Sequence, residues 1–372
     1  MNARRRFGFD VPLLAVTLLL VVLGVFFVFS SSSFMAREKY DQSFHFMAQQ
    51  VVGAAAGLVL IAFLVSVKKS FFLQPAFVYG LLGLTVFLLM LCLAMPTVAR
   101  TNRWVSLMGI RFQPSELAKI SLILFLATYI ESKKDKLNEK KTLAVPLIVL
   151  IVTVVLVLLE PDFGTAVLLA VLAAMMLYIG GVKVRYFAGA GVLFAALFGF
   201  YLFQADYRVE RLQGFFSAQK DVLGSGYQVD QSKLALGSGG LVGAGLGQSS
   251  QKLYFLPFAH TDFIFAILGE ETGLLGTLFT LGLYLFFLWR GVKIALAAPN
   301  PTYKMIAAGV TLAVVAQALM NMSIVLGLGP AKGTPLPLLS YGRSSLICTL
   351  AAIGLLLHIS QKKGDTGGTV RI

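Results

Sequence analysis

The chain has 372 residues, of which 58% are hydrophobic and 13% charged, with a mean hydropathy of +0.83 and a formal net charge of +14. A soluble domain averages about 45–50% apolar and about 25% charged residues, so this composition excludes an ordinary soluble enzyme and a disordered polypeptide. The excess of 31 Lys and Arg over 17 Asp and Glu then reads as the positive-inside bias of an integral membrane protein, with no nucleic acid as partner.

A bilayer-crossing helix needs roughly 20 apolar residues, and about ten runs approach that length. In chain order they cover 11–29, 46–67, 77–95, 117–130, 143–159, 165–180, 187–203, 263–288, 305–326 and 346–359. The first follows Arg4, Arg5 and Arg6 without a small-residue cleavage site, and reads as an anchor with a cytoplasmic N-terminus. The fourth is short and must extend back through Pro114 or tilt. Alternating spans place 68–69, 133–141, 183–185, 290–304 and the tail 361–372 on the inner side with the N-terminus. These short basic segments hold more than half of the cations. The expected fold is an all-α polytopic membrane protein, one integral domain over 1–372, with a large extracytoplasmic loop, 204–262, between the seventh and eighth helices. A structureless loop that long is improbable in a compact protein, so its Gly-rich centre, 237–247, is expected to be re-entrant or partly helical and packed on the bundle. Cys92 and Cys348 lie in apolar runs and imply neither a disulfide nor a metal site.

Polar residues at membrane depth are costly, so each is a functional candidate. Gln113 and Pro114 open the fourth span, where Glu116 and Lys119 share a face at i and i+3. Either they form a helix-start ion pair, or Lys119 faces a cavity and holds an anion. Asp162, in the turn before the sixth span, suits a helix cap. Asp262, just before the eighth, either caps it or is a base, because its aromatic and apolar neighbours desolvate it and raise its pKa. Glu270 and Glu271 lie two turns deeper, where at least one must find a partner. Arg103, Arg111, Arg208, Arg211, Lys233, Lys252, Lys332 and Arg343 recur around these acids with Trp104, Tyr254 and Phe255 between them. They form either a solvated loop face or a surface for an amphiphile with a phosphate head and a lipid tail. His45, His260 and His358 are scattered and too few for a metal centre, and no nucleotide loop, Ser-His-Asp set or haem motif stands out. No cofactor is evident, and a need for a divalent cation stays open.

Arg103-Trp104, 113–119 (QPSELAK), 161–165 (PDFGT), 227–232 (YQVDQS), 237–240 (GSGG), 251–256 (QKLYFL), 260–265 (HTDFIF), 269–271, 335–337 and 340–342 (SYG) occur in this order. The chain thereby resembles the SEDS family, which comprises FtsW, RodA and SpoVE. The resemblance implies a ten-helix glycosyltransferase of the bacterial cytoplasmic membrane that polymerises lipid II into β-1,4 glycan strands. It also implies a class B penicillin-binding protein as transpeptidase partner, with other divisome or elongasome membrane proteins nearby. The family's essential acid matches Asp262. Lys119, Glu116, Arg103, Arg211, Lys233, Lys252, Ser232 and His260 are the expected substrate-binding residues, and Asp162, Glu270, Glu271 and Gln113 the expected supports. Residues 247–249, 251–252, 317–321 and 354–360 look more like the division branch than the elongation branch, which points to the septum. Phe258 stands where the family often has Glu, and Arg343 where it usually has Gly. An elongation polymerase, a lipid II flippase and an inactive scaffold that recruits the transpeptidase are the rival readings.

Overall fold

The computed structural model describes residues 8–95, 103–107, 110–187, 225–253, 255–329 and 333–361, and places 189, 191 and 199 in helix. Its helices are α1 (Val11–Tyr40), α2 (His45–Ser66), α3 (Pro75–Ala94), α4 (Pro114–Ser132), α5 (Lys140–Leu159), α6 (Phe163–Ile179), α7 (Ser225–Ser238), α8 (Ile264–Ala297), α9 (Pro301–Val325) and α10 (Arg343–Ser360). Seven of these, α1, α2, α3, α5, α8, α9 and α10, are long and apolar enough to cross a membrane, and α6 is apolar but shorter. The expected span 187–203 lies mostly outside the described residues.

Local chemistry sets the helix starts. The Asp10 carboxylate accepts the Leu13 N–H at 2.9 Å and opens α1, and the Asn300 side chain accepts the Thr302 N–H at 2.8 Å and opens α9. Pro75, Pro114 and Pro301 occupy the first helical positions of α3, α4 and α9, where a missing N–H costs nothing. Two helices outrun their apolar stretches. α1 continues past residue 29 to Tyr40, and Ser31 and Ser32 are accommodated within it by turning their hydroxyls onto the carbonyls of Phe27 and Val28, one turn back. α8 continues from 288 to Ala297.

α4 is at the centre, packed against α3, α6 and α9, and nearly all of it from Pro114 to Ile130 is buried. Its weak apolar run follows from that position, since protein rather than lipid covers its charged first turns. α2 and α10 approach closely over small residues, and a Cβ on Gly57 would fall 2.2 Å from the Leu350 side chain. At one end of the bundle Asp10 accepts from Arg290 and donates its own N–H to Ser360 Oγ at 2.9 Å, joining α1, α8 and α10. The loops described below gather at the opposite end.

One of those loops contains a hairpin that no periodicity announces. β1 (Val105–Leu107) pairs antiparallel with β2 (Ile110–Phe112), in the register Val105↔Phe112, Ser106↔Arg111 and Leu107↔Ile110. It returns the chain so that Arg103 and Gln113 both reach the turn between α5 and α6.

The Gly-rich segment is partly helical, as α7, and its remainder docks into a break in α8. At Gly273 the backbone leaves the helix (φ 65, ψ −163). The carbonyls of Glu270 and Glu271 then accept from the N–H groups of Ala244 (2.9 Å) and Gly245 (3.2 Å) instead of from within α8. The freed N–H groups of Leu274 and Leu275 donate to the carbonyls of Gly240 (2.9 Å) and Leu241 (3.2 Å). All four backbone groups are satisfied by the inserted loop, as a low-dielectric interior demands. Glycine is required at the crossing because Gly243 has φ +91 and its Cβ would lie 2.2 Å from the Glu271 carbonyl oxygen. Gly243→Ala is therefore expected to cost roughly 2–4 kcal/mol, read as a lowered thermal midpoint in detergent. Gly247→Ala, which meets the same sign of φ (+77) but open space, is expected to cost only about 1 kcal/mol.

Candidate active site

Four chain segments converge at the loop-bearing end: the flanks of the hairpin, the turn joining α5 to α6, the turn before α8, and the stretch 333–342 before α10. Asp162 caps α6, accepting from Thr165 N (3.2 Å) and Thr165 Oγ1 (2.9 Å), and takes a further hydrogen bond from Gln113 Nε2 (3.0 Å). Arg103 donates from Nε to the Glu160 carbonyl at 3.2 Å and from Nη2 to the Pro161 carbonyl. The hairpin is thereby pinned to the turn by one cation and one amide.

Asp262 lies opposite. Three successive carbonyls in its turn are tied down: His260 O accepts from Tyr341 N (3.0 Å), Thr261 O from Ser340 Oγ (2.5 Å) and Asp262 O from Asn321 Nδ2 (2.7 Å). The backbone is fixed while the carboxylate stays available, forming no ion pair among the described residues. A Cβ built on Gly333 would lie 3.3 Å from Asp262 Oδ2 and 3.6 Å from Arg103 Nη1. Carboxylate and guanidinium thus bracket a glycine whose missing side chain leaves space between them. Burial pushes the Asp262 carboxyl up to about 7, with Arg103 pulling it down and the Asp162 charge raising it. Burial pushes His260 down to about 4, leaving a neutral imidazole packed on the rings of Phe46 (4.8 Å) and Tyr341 (5.7 Å).

The other expected residues divide into three groups. Lys119 Nζ lies 2.7 Å from Glu116 Oε2 and donates to Gln317 Oε1 at 2.7 Å, both on the buried side of α4, beside a cavity of about 20 Å³ that Cys348 and Thr349 help to line. Glu270 and Glu271 hold the glycine loop. Glu270 accepts from Ser249 Oγ, Ser250 N (2.9 Å), Ser250 Oγ (2.9 Å) and Gln251 N (3.4 Å), while Glu271 accepts from Lys252 Nζ (2.9 Å) and Ser30 Oγ (2.6 Å). On α7, Ser232 Oγ donates to the Val325 carbonyl at the end of α9 (2.8 Å). Lys233, also on α7, is half exposed beside Asp230 at 3.5 Å, over an open groove of about 550 Å³. Arg211 lies outside the described residues. No group of three or more His, Cys, Asp or Glu could hold a metal ion among the described residues.

Sequence reasoning took 317–321 only as a branch marker and gave Gln317, Asn321, Gly333 and Glu160 no role at the site. The first two carried a signal, because polar side chains at i and i+4 in an apolar span need partners. Glu160 is fully buried with neither carboxyl oxygen hydrogen-bonded. Burial and the Asp162 charge raise its carboxyl to about 8 against the pull of Arg103. A carboxyl raised in the folded state contributes stability that is complete below its ordinary value of 4.5 and lost as the pH rises through about 8. Glu160→Gln cannot ionise, so it is expected to flatten the fall in thermal midpoint across that window.

A family model described as "Cell cycle protein", named for FtsW, RodA and SpoVE, matches residues 11–365. The probable peptidoglycan glycosyltransferase FtsW of Geobacter sp. (strain M18) is 36% identical over 364 residues, 96% of this chain and 98% of that protein. Stage V sporulation protein E of Bacillus subtilis (strain 168) is 35% identical over 357 residues, 95% of this chain and 97% of the other. Among solved structures, the rod shape determining protein RodA of Thermus thermophilus matches with a TM-score of 0.71 at 27% identity, over 95% of this chain and 97% of that one. A chain described under "Structural coordination of polymerization and crosslinking by a peptidoglycan synthase complex" matches with a TM-score of 0.78 at 30% identity, over the same shares. With sequence and fold matched over nearly its whole length, this multi-pass membrane protein belongs to the SEDS family of FtsW, RodA and SpoVE.

Proposed function

We propose that the protein is a peptidoglycan glycosyltransferase that polymerises lipid II at the outer face of the bacterial cytoplasmic membrane, with its septal form serving cell division. The observation that carries the reading is the Asp262 carboxylate, which is free of ion pairs among the described residues, is pushed up to about 7 by burial, and faces Arg103 across Gly333. The Geobacter relative's name and the 36% identity support the reaction class and the division branch.

In the proposed reaction the acceptor sugar's 4-hydroxyl attacks the anomeric carbon of the donor. The new bond joins that carbon to O4, its bond to the pyrophosphate oxygen breaks, and the hydroxyl proton passes to Asp262. Polyprenyl pyrophosphate departs with the bonding electrons, and backside attack converts an α-linked donor into a β-1,4 product. An activated leaving group needs cations rather than a second carboxylic acid, in contrast to glycoside hydrolysis. Lys119 and Lys252 are engaged in buried pairs with Glu116 and Glu271, so the pyrophosphate is assigned to Arg103, Lys233 and Arg211. A class B penicillin-binding protein is the proposed partner, because one structural relative is a chain of a peptidoglycan synthase complex.

Polymerisation of labelled lipid II by the purified protein with its partner tests the reading. Asp262→Asn and Asp262→Ala are expected to lower kcat by about 100-fold or more, the usual size of a general-base contribution. Wild-type rates in both would remove the base, and lipid II translocation across liposomes at unchanged chain length would favour a flippase. The base must be ionised, so kcat/KM is expected to fall as the pH drops below about 7 and to level off above it.

A further inference from the structure

The chain before α10 contains Pro335 and Pro337, which have no N–H to donate, so at these two positions the backbone is held only through its carbonyls. α9 supplies the donors to 334 and 335. Gln317 Nε2 donates to Pro335 O at 2.8 Å, and Asn321 Nδ2, one turn on, bridges Thr334 O (2.8 Å) and Asp262 O (2.7 Å). The next residue back is Gly333, which abuts both the Asp262 carboxylate and the Arg103 guanidinium. A carbonyl can only accept and an ammonium can only donate, so Pro335 O and Lys119, the latter 2.7 Å from Oε1, together fix Gln317 Oε1 as the acceptor and Nε2 as the donor. Glu116 in turn fixes Lys119 at 2.7 Å.

We propose that Gln317 is a positioning residue for Asp262, and that the Glu116–Lys119 pair acts on the reaction through it, by orienting the amide that holds 333–335 against the carboxylate. The proposal rests on Asp262 being the base. It assigns Lys119 a role at the site without contact with substrate, in keeping with the pairing of this cation on the central helix with Glu116 and Gln317.

The test is steady-state polymerisation of lipid II by the full-length protein with its transpeptidase partner, comparing Gln317→Glu, Gln317→Met, Lys119→Met, Asp262→Asn and the Lys119→Met/Gln317→Met double variant. Gln317→Glu keeps an acceptor for Lys119 but loses the donor to Pro335, and Gln317→Met loses both hydrogen bonds at similar volume. Thermal midpoints in detergent identify any variant that fails to fold. A misplaced catalytic group costs up to about 100-fold, so each Gln317 variant is expected to lose about tenfold to 100-fold in kcat with KM for lipid II within about twofold. Lys119→Met is expected to show the same split, and the double variant to be no slower than the slower single, since the two residues act in series. A raised KM in Lys119→Met with multiplicative losses in the double would place Lys119 on the substrate and overturn the proposal. Wild-type kcat in folded Gln317→Glu or Gln317→Met, with Asp262→Asn inactive, would overturn the proposal alone. Wild-type kcat in Asp262→Asn would remove the base and the proposal together.

Discussion

An ammonium inside a helical bundle has to be neutralised and hydrogen-bonded where it lies, and the protein is organised around the way Lys119 meets that demand. Removing an ion from water costs several kcal/mol even after relaxation, so a single partner at poor geometry does not suffice. Glu116 supplies the charge from the same face of α4, and Gln317 supplies the hydrogen-bond acceptor from α9. The first contact orients the ammonium within α4, and the second ties α4 to α9. The polar face can exist only where α3, α6 and α9 cover it, which makes α4 the central helix. The periphery obeys hydropathy instead, and α2, α3 and α8 turn Val59, Phe63, Phe87, Leu275 and Phe279 outward.

The same accounting applies at the loop-bearing end, where most charges are committed to backbone. Arg103 caps two carbonyls, Asp162 satisfies the Thr165 N–H in the first turn of α6, and Glu270 gathers the donors of Ser249, Ser250 and Gln251. Each commitment adds rigidity to a loop. Asp262 has the inverse arrangement, with its main chain tied and its carboxylate unpaired among the described residues. A reactive group on a rigid frame is the pattern that catalysis requires, since positional error is more costly than lost affinity.

Much of this was legible in the sequence where the determinants are local. Pro114 and Asp162 announced the starts of α4 and α6, and the run 117–130 called for an extension back through Pro114 or a tilt, of which the extension is found, α4 beginning at Pro114. The spacing of Glu116 and Lys119 announced a shared face, but it left open what third group would arrive, because Gln317 is almost two hundred residues away. The three-residue strands of the hairpin are too short to carry a period. Ser30, Ser31 and Ser32 ended an apolar run without ending a helix, because their hydroxyls bond to carbonyls and to Glu271. Gln317, Asn321 and Gly333 owe their roles to carbonyls and side chains brought in by the tertiary fold, which propensity does not encode.

The exchange of hydrogen bonds between α8 and the glycine loop alters what kind of object that loop is. A surface loop ordinarily tolerates insertions and opens independently of the elements it joins. Here residues 240–245 supply part of the hydrogen-bond ladder of a membrane helix, and 249–252 are clasped by the acids of that helix. A gain or loss of a residue within 240–245 would therefore unpair α8, and the amides of Ala244 and Gly245 exchange with solvent only when their bonds to that helix open. The segment behaves as a cooperative unit with the bundle, so variation in its length is forbidden as strictly as variation in a core helix.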